Sequence, residues 1–400
     1  MRLVKDGTKR PAVTISYPEG VRQDRLNPGE AGLAPLLTPT PRALTIKLVN
    51  AFKPHLRGLA SYPYRAVDAP IKLDQNESPY DLPPELKQQA LRRLEGLHWN
   101  RYPSLHADEV RAKLAEGLGW PPEGLVVSPG SNLLIQALVQ AANRVVDTAP
   151  TFPHYAFSAK MQAAPYQQVP LGPEFTLPTE GLSQAMKGEP ALVFLPNPHA
   201  PTGRLFPASE VAVLAHQARE TGGLLVLDEA YQQFSGSDHL ELARTNPHVA
   251  LLRTFSKAWG LGGIRAGYLL GSTEVCAVVQ NFLPPFGVPA HTAAILLTVL
   301  EHPEYTRGVV QTLVAERERV YAALQEHPSW KVYPSQTNFF LIRTPDAAAA
   351  YQGLLARGIL VRRQDHYFGL EGCIRVSIGT PEENTRFLEA ALALPEVSHA

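Results

Sequence analysis

Residues 253–268, RTFSKAWGLGGIRAGY, put one lysine in a setting that makes little sense for a solvated surface residue. Lys257 follows the hydroxyl residues Thr254 and Ser256, precedes glycines at 260, 262, 263 and 267, and has Arg265 downstream. An amine attacks a carbonyl only when part of it is unprotonated, and partial burial near other cations lowers its pKa toward that state. Glycines let the backbone approach a bulky planar ligand and take positive φ. Hydroxyls and a guanidinium are the donors that a phosphate monoester needs. A molecule with both an aldehyde and a phosphate, such as pyridoxal phosphate, would use both halves of this loop. The same residues also describe a basic loop with a flexible glycine-rich tail, so the choice rests on what stands elsewhere in the chain.

The elements around the loop alternate. The start of ALVFLPNPHAPTG and Leu224 to Leu227 are continuous apolar runs of the buried parallel-strand kind, and Ala208 to Glu220 between them has helical character. Strands alternating with helices predict an α/β fold with a doubly wound, mostly parallel sheet, whose ligands bind at the strand carboxyl ends. Asn197, Asp228, Thr254 and Lys257 all fall at such ends. Asp228 is the most informative, because a carboxylate closing a buried strand wants a cationic partner. A protonated pyridine nitrogen would be one, and keeping it protonated makes the ring an electron sink. Tyr231 could donate to the ring's phenolate oxygen; a capping Asp followed by a core Tyr is the plainer alternative.

Upstream, LVVSPGSNLLIQALVQAA reads as strand, turn and helix, with the helix starting near Ser131 and Asn132 after Gly130. A helix N-terminus offers free N–H groups to a phosphate, though plain serine capping fits the same residues. VVDTAPTFPHYAFSAKMQAA reads as a strand followed by a loop bearing Phe152 and Tyr155, aromatics that either pack in the core or lie flat on a heteroaromatic ring. Asn76 lies in a polar turn within IKLDQNESPYDLPPEL, and Leu105, Val110, Leu114 and Leu118 share a helix face that Gly119 can close. Beyond about 286 the pattern changes to helices at Ala290 to Leu300 and Gly308 to Gln325 and strands in TNFFLIR and GCIRVSIG. Alternation in the last strand puts Arg375 off its core face, where it forms with Arg362 and Arg363 a cationic cluster suited to an anionic substrate.

Composition narrows the function classes. The 400 residues balance 37 Lys plus Arg against 37 Asp plus Glu, a net charge of zero, which argues against a general nucleic-acid or membrane-surface binder. The two cysteines, Cys276 and Cys373, lack the spacing of a disulfide framework or a metal site, and a reducing cytoplasm is expected. No apolar run reaches membrane-spanning length and no secretory signal is visible. Residues 1–45 read as a poorly ordered extension, 46–98 as an N-terminal arm and the start of a small domain, 99–285 as the large domain and 286–400 as the rest of the small α+β domain.

Taken together, RTFSKAWGLGGIRAGY, LDEAY, KLDQNESPY, RYP, APTG and GCIRVSIGTPEEN resemble the fold type I, class II pyridoxal-phosphate aminotransferases over residues from about 55 to 395, most closely those acting on histidinol phosphate. The resemblance implies a large α/β domain with a smaller α+β domain, and amino transfer between glutamate and imidazole-acetol phosphate. It implies that Lys257 bonds to the cofactor aldehyde and shuttles a proton, that Asp228 meets the pyridine nitrogen and Tyr231 the phenolate oxygen, and that Phe152 stacks on the ring. Gly130, Ser131, Asn132, Ser256 and Arg265 would cradle the cofactor phosphate, joined by Tyr102 of a second subunit in a homodimer with a shared site, and Thr254 would also bind the cofactor. Arg362 and Arg375 would hold substrate anions, with Tyr64 and Asn76 near the imidazole end. The family's usual asparagine before PTG is Ala200 here, and Asn197 or His199 is expected to stand in. An aromatic or broad-specificity aminotransferase, a phosphothreonine-type decarboxylase and a non-catalytic cofactor-binding regulator are the competing readings; the last is weakened by the lack of a helical DNA-binding pattern in residues 1–45.

Overall fold

The computed structural model describes residue 51 and residues 53–57 and 66–394; Tyr64 and the whole of the 1–45 segment lie outside the described residues. The strands in chain order are β1 (Ile71–Lys72), β2 (Leu125–Ser128), β3 (Val145–Ala149), β4 (Tyr166–Pro170), β5 (Leu192–Pro196), β6 (Leu224–Asp228), β7 (Val249–Thr254), β8 (Gly267–Leu270), β9 (Lys331–Val332), β10 (Phe339–Arg343), β11 (Ile359–Leu360), β12 (Arg362–Arg363) and β13 (Cys373–Ser377). Seven of them form one sheet in the order β2-β8-β7-β6-β5-β3-β4. All pairings in it are parallel except those of β8, which runs antiparallel to β2 and β7. This is the mostly parallel α/β sheet that the sequence predicts.

The apolar runs are continuous because both faces of this sheet are covered. Val193, Leu195, Leu225, Leu227 and Leu251 feed one core, while Leu192, Phe194, Val226 and Leu252 feed the other. Successive side chains on a strand point to opposite faces, so a strand buried on both sides has no position left for a polar residue until its end. Asp228 and Thr254 occupy such ends, where β6 and β7 leave the packed layers.

A second, four-stranded antiparallel sheet, β12-β13-β10-β9, packs with the helices Pro303–Gln325 and Pro381–Leu392 around a third core. That core includes Tyr231 and Ala258 along with Phe339, Ile374 and Val376, so the loops that follow β6 and β7 are anchored against the second sheet. A parallel pair, β1 with β11, ties the segment before Asp74 to the same region. The described residues from Lys53 onward form one compact unit.

Two local expectations are corrected. The segment after β3 is a helix, His154–Gln162, and not a loop; its low amphipathicity arises because its buried face mixes His154, Tyr155, Ser158 and Ala159, which breaks the periodic signal. The helix before Gly119 begins at Asp108, so Leu105 precedes it.

Candidate active site

The carboxyl ends of β3, β5, β6 and β7 and the edge formed by β12 and β13 enclose a cavity of about 240 Å³. Lys257 lies in the turn after β7 and reaches this cavity, its Nζ donating to the carbonyl oxygen of Gln75 at 2.8 Å. Burial, then the charge of Arg375 and more weakly that of Arg265, lower its pKa to about 8, with Glu77 opposing. The amine is therefore held close to deprotonation at neutral pH, the state in which it is nucleophilic.

Asp228 faces the same space from the end of β6 and is only 8% exposed. Its Oδ2 accepts from the Tyr155 hydroxyl at 2.6 Å and its Oδ1 from the Ala230 N–H at 3.1 Å. Burial pushes its carboxyl up to about 6 in spite of those two donors. Among the described residues no salt bridge reaches Asp228. A carboxylate taken out of water without a counter-ion is costly, so this one is suited to a cationic group entering the cavity.

One wall carries anion-binding features. The helix Ser131–Ala141 starts after Gly130, whose φ is +87°, and no side chain caps its first N–H groups. Arg265, itself at φ +58°, donates from Nη1 to Ser256 Oγ at 3.4 Å and to the Gly262 carbonyl at 2.9 Å. The approach depends on two missing side chains. A Cβ at Gly130 would stand 2.8 Å from Arg265 Nη2, and one at Gly267 would stand 2.5 Å from the Ser131 nitrogen. Ser131, Asn132, Thr254 and Ser256 line the cavity beside Arg265, giving the helix-end and guanidinium donors that a phosphate monoester takes.

The edge formed by β12 and β13 brings two more guanidiniums to the cavity. Arg362 and Arg375 are direct partners across β12 and β13 and both line the cavity. Like charges placed opposite each other on neighbouring strands repel, and an anion bound between them would relieve that repulsion. Arg375 also donates to the Asp74 carbonyl at 2.8 Å and stacks over Phe339. Arg363 departs from the expected cluster: the next residue on the strand points the other way, and its guanidinium pairs with Asp365 at 2.6 Å.

Phe152 and Tyr231 also line the cavity. Asn76, 1% exposed and at φ +54°, donates from Nδ2 to the Tyr231 hydroxyl at 2.8 Å, while its backbone and side chain are bound by Ser377 and Asn338. Asn76 is thus more than a turn cap; it fixes the hydroxyl of Tyr231. Tyr102 is 83% exposed and stacks on Phe286 at 4.8 Å, away from the cavity of its own chain.

The expected substitutes for the absent asparagine are not in place. Asn197 is fastened to Phe206 through both ends of its amide, Oδ1 accepting at 2.8 Å. His199, fully buried, bonds through Nδ1 to Thr202 and through Nε2 to Thr148, and burial lowers its pKa to about 3. Neither lines the cavity, whereas Ala200 does. Sequence reasoning placed them at the right strand end but could not give the direction of the side chains. It also missed Thr151, Gln364 and Tyr367, which line the cavity, and the bond from Tyr155 to Asp228. Only Tyr155 carried a signal, as an aromatic just beyond a strand end.

A planar cation-bearing ring with an aldehyde and a phosphate fits these features: an amine near its pKa, a buried carboxylate without an ion pair, and a glycine-dependent cradle of phosphate donors. The chain is also similar to known proteins along most of its length. A histidinol-phosphate aminotransferase of Deinococcus radiodurans is 48% identical over 85% of this chain and 95% of its own length. One from Pyrococcus furiosus is 37% identical over 82% of this chain and 94% of its own. The crystal structure of histidinol-phosphate aminotransferase from Sinorhizobium meliloti in complex with pyridoxal-5'-phosphate superposes with a TM-score of 0.78 at 25% identity, covering 88% of this chain and 99% of that one. The sequence model described as aminotransferase class I and II matches residues 68–390. The chain belongs to the class I and II aminotransferase family.

Proposed function

We propose that this chain is a pyridoxal-phosphate-dependent aminotransferase that moves an amino group between glutamate and imidazole-acetol phosphate, giving histidinol phosphate and 2-oxoglutarate, a step of histidine biosynthesis. The observation that carries the reading is the facing pair Arg362 and Arg375 in the same cavity as Lys257 and Asp228. One end of the cavity suits the cofactor and the other suits an anion carried by the substrate. The 48% identity to the Deinococcus histidinol-phosphate aminotransferase supports the choice of substrate.

Lys257 is the amine that would hold the cofactor aldehyde. Asp228 would meet the pyridine nitrogen, Tyr231 the phenolate oxygen, and Phe152 one face of the ring. Ser131, Asn132, Ser256 and Arg265 would hold the phosphate, with Thr254 bracing the loop through the Ser256 N–H at 3.1 Å. When bound, the cofactor supplies an electron sink for the pair left at the substrate Cα. Lys257 Nζ then takes the proton from Cα, a task for which an amine of pKa near 8 is well matched. Asp228, whose ionised form its two donors favour, would hold the pyridine nitrogen protonated. Arg362 and Arg375 orient the substrate through its phosphate, or through a carboxylate when glutamate is bound.

The working enzyme is a homodimer in this reading. Tyr102, 83% exposed, stacks on Phe286 in an exposed aromatic pair of the kind that subunit interfaces cover, and Trp99 nearby in sequence is 85% exposed. Tyr102 of one subunit would complete the phosphate site of the other. No helix among the described residues is long and apolar enough to cross a membrane, and the two buried, unpaired cysteines suit a cytoplasmic enzyme. The test is amino transfer from histidinol phosphate to 2-oxoglutarate by the purified protein with pyridoxal phosphate. The wild type should form glutamate and Lys257→Ala should not; equal glutamate formation by both would refute the assignment of Lys257.

A further inference from the structure

We propose that Tyr155 is a positioning residue for Asp228 and Phe152, the two residues that face the cofactor ring; this rests on the cofactor reading above. Tyr155 sits in the first turn of the helix His154–Gln162, immediately after β3, and is fully buried. Its ring lies parallel to Phe194 of β5, with centroids 4.5 Å apart and planes 3° apart. The edge of Phe152 meets it at 5.6 Å and 85°. From this fixed ring the hydroxyl donates to Asp228 Oδ2 at 2.6 Å.

The packing alone would be served by phenylalanine. Contacts to Phe194 and Phe152 need only the ring, so the hydroxyl is explained by Asp228. A donor aimed at a carboxylate favours its charged form, and among the described residues this is the only side-chain donor to Asp228, beside the backbone N–H of Ala230. The bond therefore does two things. It fixes the plane in which the carboxylate faces the cavity, and it keeps the group ionised in a site where burial favours the neutral acid. Through the same ring, the tilt of Phe152 and the plane of Asp228 are set together.

Tyr155→Phe keeps the ring and removes the donor. The readout is the dissociation constant of pyridoxal phosphate from the apoprotein, measured by quenching of intrinsic fluorescence between pH 5 and 9. The variant should bind roughly tenfold more weakly, the value of one hydrogen bond to a charged group. The pH below which binding weakens should move upward, because a carboxylate that loses a donor protonates more readily. A loss of packing alone would leave that pH unchanged. The second arm places Tyr155→Phe on an Asp228→Asn background, where a residue acting through the carboxylate should cost less than about twofold further. A full additional tenfold loss there, or an unmoved pH profile in the single variant, overturns the proposal. Wild-type protein that fails to bind the cofactor overturns the cofactor reading and this inference with it, whereas wild-type binding with an unaffected Tyr155→Phe overturns this inference alone.

Discussion

Replacing Arg375 by Gln should slow the capture of pyridoxal phosphate by the apoprotein at neutral pH, although Arg375 would not touch the aldehyde. The reasoning starts from Lys257, whose pKa is lowered from 10.5 to about 8 by burial first and by Arg375 second. At pH 7 an amine of pKa 8 is unprotonated in roughly one molecule in ten, while one of pKa 10.5 is so in only about 0.03%. The full shift is thus worth roughly 300-fold in reactive amine at that pH. Removing a nearby cation relieves the repulsion that disfavours the ammonium form, so the pKa of Lys257 must rise. Burial and Arg265 remain in the variant, so only part of that factor is lost. The assay is the stopped-flow rate of cofactor capture, followed by absorbance between pH 6 and 10. In the wild type the rate should climb with a midpoint near 8, and in Arg375→Gln the whole curve should move to higher pH with little change at its plateau. A wild-type midpoint above 10, or a variant whose plateau falls while the midpoint stays, would refute the electrostatic reasoning.

Arg362→Ala should raise KM for histidinol phosphate by tenfold or more, since a bidentate contact to phosphate is among the strongest hydrogen-bonding arrangements, and should affect glutamate less; steady-state kinetics with both donors decides it. Gly267→Ala should weaken the cofactor cradle, because its Cβ would press on the Ser131 nitrogen at 2.5 Å, and equilibrium dialysis should show poorer pyridoxal phosphate retention with a stability loss of about 1–3 kcal/mol. Mixing the inactive Lys257→Ala homodimer with Tyr102→Ala should restore up to about a quarter of wild-type activity, the share of intact sites after random re-pairing in a two-fold dimer; no recovery after subunit exchange would argue against a shared site.

Much of this architecture was legible because the chemistry sits where the sequence changes character. Asp228 ends an unbroken apolar run, and only a special partner justifies a carboxylate there. Lys257, Ser256 and Arg265 share one loop, so their convergence needed no knowledge of the sheet. Arg375 was readable from strand alternation, yet its partner Arg362 and the outward turn of Arg363 became clear only when β12 was paired with β13. Asn197 and His199 failed for a related reason. Their backbone position was right, but whether an amide or imidazole turns to the cavity or back to Phe206 and Thr148 depends on contacts formed across the fold. Tyr155 was visible as an aromatic after a strand, but its bond to Asp228 spans 73 residues and leaves no local pattern. Thr151, Gln364 and Tyr367 are ordinary residues in irregular segments; Thr151 follows β3 while Gln364 and Tyr367 follow β12, and only the fold brings these two segments to one cavity.

The most direct test of the central claim is a single-turnover titration of the protein loaded with pyridoxal phosphate, following the cofactor absorbance after adding histidinol phosphate and, separately, phenylalanine. The account predicts that histidinol phosphate converts the cofactor to its amine form at far lower concentration than phenylalanine does. Equal or better conversion by phenylalanine would contradict the proposed substrate and make the protein a broader amino-acid aminotransferase, and no conversion by either would contradict amino transfer at this site.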